Sequence, residues 1–404
     1  MTRIPRASQL FPLLIALASS GALASDGLRR EEARASSFGP GAQAHAALAF
    51  DRDGGTVVVW DSRRQEQGGY GIYLQRFGKS GDPIGTESRV NVRTSGQQSQ
   101  PAIAIDGQGG TWVAWESFGQ DGSGSAVVAR RLAPGADTAE ILVNETTEGD
   151  QGQVTAAAAA DGSVLLAWTT PDGSAAATRV MGRILDARGR PITRELRIAP
   201  SAGRQALPTA AATISGFVVA WAVADDAGCP YAIRAQRLGA RGQAIGPEIA
   251  VSDVDGWQHV EPSISTRADG TFAIAWMSTP DDAYAVCVRT FGPDGAPASP
   301  ARIASARGGP RRSGAAVALG PGSRIAVAWN EGDDIVLLDP DDGSPMRVNA
   351  QAAGHHRLEA ASGNQRIAFG ADGRIGLAWS GDSGLGDDNA ANVTLLLPAG
   401  VACA

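Results

Sequence analysis

Lysine is almost missing from this chain: Lys79 is the one example, and every other basic residue is arginine. No phosphate loop or Schiff base that needs a lysine can sit anywhere else. Cysteine is nearly as scarce, and Cys229, Cys287 and Cys403 lie too far apart in sequence for a clustered zinc site. A disulfide between Cys229 and Cys287 and a set of three separate thiols both remain open. No excess of positive charge exists: the formal net charge is −7, which disfavours a dedicated nucleic-acid binder. No apolar run approaches the length of a membrane span. Gly-x-Ser-x-Gly, HExxH, CxxC and Walker motifs are all lacking. A catalytic set gathered from several parts of a fold would leave no such motif, so their absence excludes only the locally encoded chemistries.

What is present is turn material. The 404 residues include 52 glycines and 22 prolines beside 43% hydrophobic residues, a composition for short strands and tight turns rather than long helices. At the N-terminus, Arg3 and Arg6 precede an apolar run from Leu10 to Ala18, and Ala22-Leu23-Ala24 supplies a small-x-small cleavage pattern. Residues 1–24 therefore read as a signal peptide, 25–30 as a linker, and the mature protein as secreted or periplasmic, monomeric and without a membrane span.

The rest of the chain is a repeat. A strand ending in tryptophan recurs as "TVVVW" at Trp60, "TWVAW" at Trp115, "SVLLAW" at Trp168 and "GFVVAW" at Trp221, then at Trp276, Trp329 and Trp379. Each unit is about 54 residues long, which leaves nothing for a second domain. Within a unit a short apolar segment such as "PAIAI" from Pro101 leads through a Gly-rich turn to the tryptophan strand. A third strand such as "GIYLQRF" and a fourth such as "TESRVN" follow. Seven four-stranded meanders with unmatched apolar faces bury them by radial packing, so 31–404 reads as an all-β, seven-bladed β-propeller. The seventh unit stops after "NVTLLL" without a fourth strand, and "EEARAS" at Glu31 to Ser36 aligns with "TESRVN". That N-terminal segment is expected to complete the last blade and remove its open edge.

The seven tryptophans read as core. Each follows a small residue, Val59 being the exception, and strand alternation sends the pair to opposite faces, so a large residue on one blade meets a small one on the next. Trp112 and Trp257 break the period and are the better recognition candidates, Trp257 in a blade connection and Trp112 packed within its own blade. Loops joining second to third strands share a face with the blade-to-blade connections, and acids collect there: Asp61, Glu66, Glu116, Asp121, Asp172, Asp225, Asp226, Asp281 and Asp282. Glu331, Asp333, Asp334, Asp382, Asp387 and Asp388 follow in the last two blades. His45, His259, His355 and His356 fall in the connections of the same face. An acidic rim of this kind suits Ca²⁺ or a cationic partner, although Asp-Gly and Asp-Asp are also ordinary turn residues. No cofactor is required. His355-His356-x-x-Glu359 lacks the helix that a zinc-protease motif demands.

At "ESFGQDGSG" after Trp115, "GIYLQRF" at Gly71 to Phe77 and "GDPIGTESRVN" at Gly81 to Asn91, the repeats resemble those of bacterial secreted propeller-like proteins. These include repeat regions of adhesins and hemolysin-type calcium-binding proteins. The resemblance implies extracellular binding or assembly, but the glycine-aspartate nonapeptide array of the hemolysin type is lacking here. Sialidases are similar at a distance: "DGQGGTW" from Asp106 shares the composition of their aspartate box but not its spacing, and Tyr70 is the better placed candidate for a nucleophile. The expectation is a secreted, non-enzymatic propeller whose face of second-to-third loops binds extracellular protein or glycan. The alternative is a sialidase-like glycan hydrolase or lyase.

Overall fold

Each tryptophan strand is buried on both faces and forms the second strand of a four-stranded antiparallel sheet. In the first blade the strands are Gln43–Phe50, Thr56–Glu66, Gly69–Phe77 and Pro83–Arg89. The computed structural model describes residues 23–24 and 28–398 apart from 40, 67–68, 134, 136, 174–176, 225–230, 254–256, 280–283, 307–308, 342, 351–353, 360–364 and 383–388. Seven such sheets form a β-propeller, and among the described residues no helix is long and apolar enough to cross a membrane. The Asp-Gly punctuation does what turn chemistry requires. Asp51 Oδ1 accepts the N–H groups of Asp53 and Gly55 at 3.0 and 2.7 Å around Gly54, whose φ of 81° suits glycine.

The blades are joined by a repeated interlock. Seven buried apolar clusters each hold one tryptophan of the series together with the small residue that precedes the tryptophan of the neighbouring blade. Trp115 packs with Val59, Trp168 with Ala114, Trp221 with Ala167, Trp276 with Ala220, Trp329 with Ala275, Trp379 with Ala328 and Trp60 with Ala378. The last pair closes the ring. Trp112 packs against residues of its own blade, as expected, in a cluster that also takes in the third blade, and its Nε1–H donates to Gly162 O at 3.4 Å.

The seventh blade is completed from the N-terminus. Leu28–Arg34 pairs antiparallel with Ala390–Pro398, Glu31 standing opposite Leu395. The strand starts three residues earlier than expected, so 28–30 are not a linker, and Leu23–Ala24 pairs back onto Leu28 and Arg29. Arg374 pins the seam from the other side. Its Nε donates to Asp372 at 2.8 Å, its Nη2 to Gly54 O at 2.7 Å and its Nη1 to Lys79 O. The seventh inner strand is also interrupted. Where the sixth blade places only Gly314 and Ala315 between two paired positions, the seventh has residues 358–365 between Arg357 and Arg366.

Replacing Trp221 by alanine removes a fully buried indole from one interlock and should cost about 3–5 kcal/mol in urea unfolding. A chain beginning at Ser37 loses the closing strand, and circular dichroism melts should then broaden and shift down as the exposed sheet edge frays.

Candidate functional site

Every inner strand of the first six blades carries one bulge at the same place, on the face of the second-to-third loops. Pairing slips between Ala44 and Ala47, Ser99 and Ala102, Gly152 and Thr155, Ala206 and Thr209, Val260 and Ser263, and Ser313 and Ala316. The first residue inside each slip has left-handed φ: His45 53°, Gln100 53°, Gln153 56°, Leu207 54°, Glu261 54° and Gly314 70°. For a side-chain-bearing residue this conformation costs on the order of 1 kcal/mol or more, so something must hold it.

In five of the six blades what holds it is a side chain of the preceding blade. The N–H of Gln100 donates to Asp61 Oδ2 at 2.9 Å, that of Gln153 to Glu116 Oε1 at 2.6 Å, and that of Leu207 to Gln153 Oε1 at 2.8 Å. Gly314 N–H donates to Glu261 Oε2 at 2.7 Å, and His45 N–H donates to Glu359. Across the seventh, first and second blades these acceptors are carboxylates, and His45 joins them, its Nδ1 2.7 Å from Asp61 Oδ2. Glu359 Oε2 also accepts the Ser380 hydroxyl at 3.1 Å, and Gln100 Nε2 lies 3.3 Å from Glu116 Oε2. Asp61 is fully buried, and its Oδ1 has no partner among the described residues.

The electrostatics follow from this crowding. Burial lowers the imidazole of His45, but the hydrogen bond and charge of Asp61, with Glu359 and Glu116 behind it, outweigh burial and raise its pKa to about 9. Burial raises Glu116 to about 7 against the opposing hydrogen bond from Gln153 and charge of His45, and burial likewise raises Glu359. A carboxyl that keeps its proton to neutral pH stands beside a histidine that keeps its charge, a combination suited to proton transfer.

The remaining expected site residues do not join this cluster. Asp121 accepts from Asn144, beyond the fourth strand, at 2.8 Å and from Ser123 N–H of its own loop at 3.1 Å. Asp172 pairs with Arg179, and Glu331 with Arg312. Asp333 is exposed and binds His355 at 2.8 Å, which lowers its pKa. His259 is a core residue, not a ligand: it is buried, with Nδ1 2.8 Å from Ser278 Oγ and its ring edge-on to Trp276. His356 is buried edge-on to Trp379. His45, His259 and His356 lie in strands rather than in connections because each fills a place at the start of an inner strand. Trp257 is half-buried just before its strand. Asp225, Asp226, Asp281, Asp282, Asp387, Cys229 and Cys403 lie outside the described residues, while Cys287 is buried beside Ser278. Among the described residues no group of three His, Cys, Asp or Glu side chains is arranged to hold a metal ion. Tyr70, the candidate nucleophile expected near a loop end, is half-buried in the strand Gly69–Phe77 with the Arg63 guanidinium 5.9 Å from its ring centroid, while Tyr73 on the same strand is buried against Trp60, where burial and the Glu66 charge raise its hydroxyl to about 12.

No family model and no curated protein matches the chain, so the likeness to adhesin and hemolysin-type repeats gains no support there. Solved structures do match. A protein of unknown function from Dyadobacter fermentans aligns with a TM-score of 0.50 at 9% identity, over 92% of this chain and all of the other. A fungal alcohol oxidase of the AA5 family, in complex with copper, gives 0.51 at 13%, over 89% and 75%. An ulvan lyase of polysaccharide lyase family PL25 gives 0.50 at 9%, over 75% and 80%. At these identities the likeness is one of fold. It corrects the expectation of a non-enzymatic scaffold all the same, because the matched ring is one that enzymes use, a polysaccharide lyase among them. What this chain does on that ring has to be argued from its own residues.

The mouth cluster has a signature in stability. His45 rises from 6.5 to about 9 on folding and Glu116 from 4.5 to about 7, so the folded state holds both protons more tightly. The resulting stabilisation is complete below the unfolded values and is lost as pH rises through the folded ones. Urea unfolding should therefore show stability falling from pH 5 to pH 9, on the order of 2–3 kcal/mol of it from His45. His45→Gln should flatten the part of that fall between pH 6.5 and 9.

Proposed function

We propose that the protein is a glycan-processing enzyme, a hydrolase or lyase that cleaves glycosidic bonds on the face where the second-to-third loops and the blade connections meet. The observation that carries this reading is the mouth cluster of Glu116, Asp61, His45 and Glu359, in which Glu116 is raised to about 7. Breaking a glycosidic bond by hydrolysis or by elimination is helped by a proton delivered to the leaving oxygen, and a carboxyl still half-protonated at neutral pH is the group for it. The other carboxylates supply negative charge on the same side, where an oxocarbenium-like centre or a removable proton needs an acceptor. His45 positions Asp61 and screens the carboxylates from one another. The leader-like residues 1–24 fit delivery of such an enzyme to an extracellular polymer.

The test is release of reducing ends or of unsaturated products from a panel of neutral and acidic polysaccharides. Where a substrate is found, Glu116→Gln should lower kcat about 100-fold or more with KM little changed, and the alkaline limb of the pH profile near 7 should disappear. Full activity in Glu116→Gln on that substrate would remove Glu116 from the chemistry.

A further inference from the structure

The channel enclosed by the inner strands holds a cavity of about 230 Å³, lined mostly by small and apolar residues such as Ala104, Ala156, Thr209, Ser263 and Ile264. Among its described lining residues Arg366 is the one charged side chain. Its place in the repeat makes it conspicuous. The inner-strand residue opposite the small residue before each tryptophan is Ala47, Ala102, Thr155, Thr209, Ser263 or Ala316 in the first six blades. In the seventh it is Arg366, whose carbonyl accepts from Ala378 N–H at 2.9 Å. A long cation thus stands where every other blade keeps a small neutral residue.

That cation is incompletely paired. Arg366 is 2% exposed, its Nη2 donates to Ala315 O at 3.0 Å, and its Nε and Nη1 have no partner among the described residues. Glu261 and Glu359 act on it through charge, but their hydrogen bonds go elsewhere: Glu261 to Gly314 N–H, Glu359 to His45 N–H and the Ser380 hydroxyl. A buried guanidinium with two unmade hydrogen bonds carries a large desolvation cost that an acceptor with negative charge relieves. We infer that the channel is an anion site centred on Arg366 that takes one small monovalent anion, a carboxylate above all. The two flanking acids oppose a second negative charge, which sets the preference for a monovalent ligand. The carboxylate comes either from a free small acid or from an acidic sugar, and the inference stands independently of the glycan reading.

Two measurements on the full chain test it. Crystals soaked in sodium bromide should show an anomalous peak within hydrogen-bonding distance of the Arg366 guanidinium. In parallel, thermal unfolding is followed in acetate, in glucuronate and in glucose, with ionic strength held by a bulky sulfonate. Acetate should raise Tm saturably, glucose should not, and the rise should vanish in Arg366→Met. Equal rises with acetate and glucuronate identify a free-acid pocket, whereas a rise with glucuronate alone assigns the carboxylate to a sugar. No bromide at Arg366 together with a flat Tm in both acids overturns the inference, as does an acetate rise that persists undiminished in Arg366→Met. The bromide measurement uses the native chain and decides the matter should the methionine variant fail to fold.

Discussion

Everything in this molecule depends on a large ring from one blade entering the space left by a small residue on the next. The indole of each tryptophan is buried at an interface, and the alanine or valine beside it in sequence makes room for the following blade's indole. Because the two residues are adjacent in a strand, alternation points them to opposite faces, and one dipeptide serves two interfaces. Seven repetitions return the chain to its start, where Trp60 meets Ala378. No separate core is needed, since the interfaces themselves are the core.

The second constraint is set by the inner strands. The bulge places a left-handed residue at the channel mouth of six blades, and in five of them the neighbouring blade stabilises it with an acceptor side chain. An amide serves there as well as a carboxylate does: Gln153 fills the same role as Asp61, Glu116, Glu261 and Glu359. The charge of these acceptors is therefore not demanded by the fold. The seventh, first and second blades nonetheless concentrate carboxylates around His45, and burial there separates their proton affinities in the way acid–base chemistry needs.

The ring was legible because its signal is large, regular and repeated: tryptophan after a small residue, at nearly constant spacing, with glycine turns between. Even the closing strand could be aligned. The mouth was harder to read. Asp61 and Glu116 were visible as acids following a tryptophan, yet they pass for solvated loop residues until the bulge of the next blade is seen to need an acceptor. The inner-strand pattern that marks the bulge does exist in the sequence, as Gln43-Ala-His45, Gln98-Ser-Gln100, Gln151-Gly-Gln153 and Gln205-Ala-Leu207, each ending two residues before a small one. Its polar first member looks like loop because a buried glutamine has no hydropathy signal. Glu359 and Arg366 were hidden differently, since the interruption of the seventh inner strand breaks the period that would have aligned them.

The pairing of Leu28–Arg34 with Ala390–Pro398 also orders events in time. A ribosome makes the closing strand before any of the blades and its partner after six of them, so the strand must remain without its neighbour while those six blades are synthesised. Those blades can stack as they appear, each waiting only for the next, but the ring can be sealed only after the seventh blade has been made. Closure is a single late event of very long sequence separation, and until it happens the outer edge of the seventh blade is open to any other extended chain nearby. The seam is thus the moment of greatest exposure in the life of the protein, although in the finished molecule it is among its most heavily bonded regions.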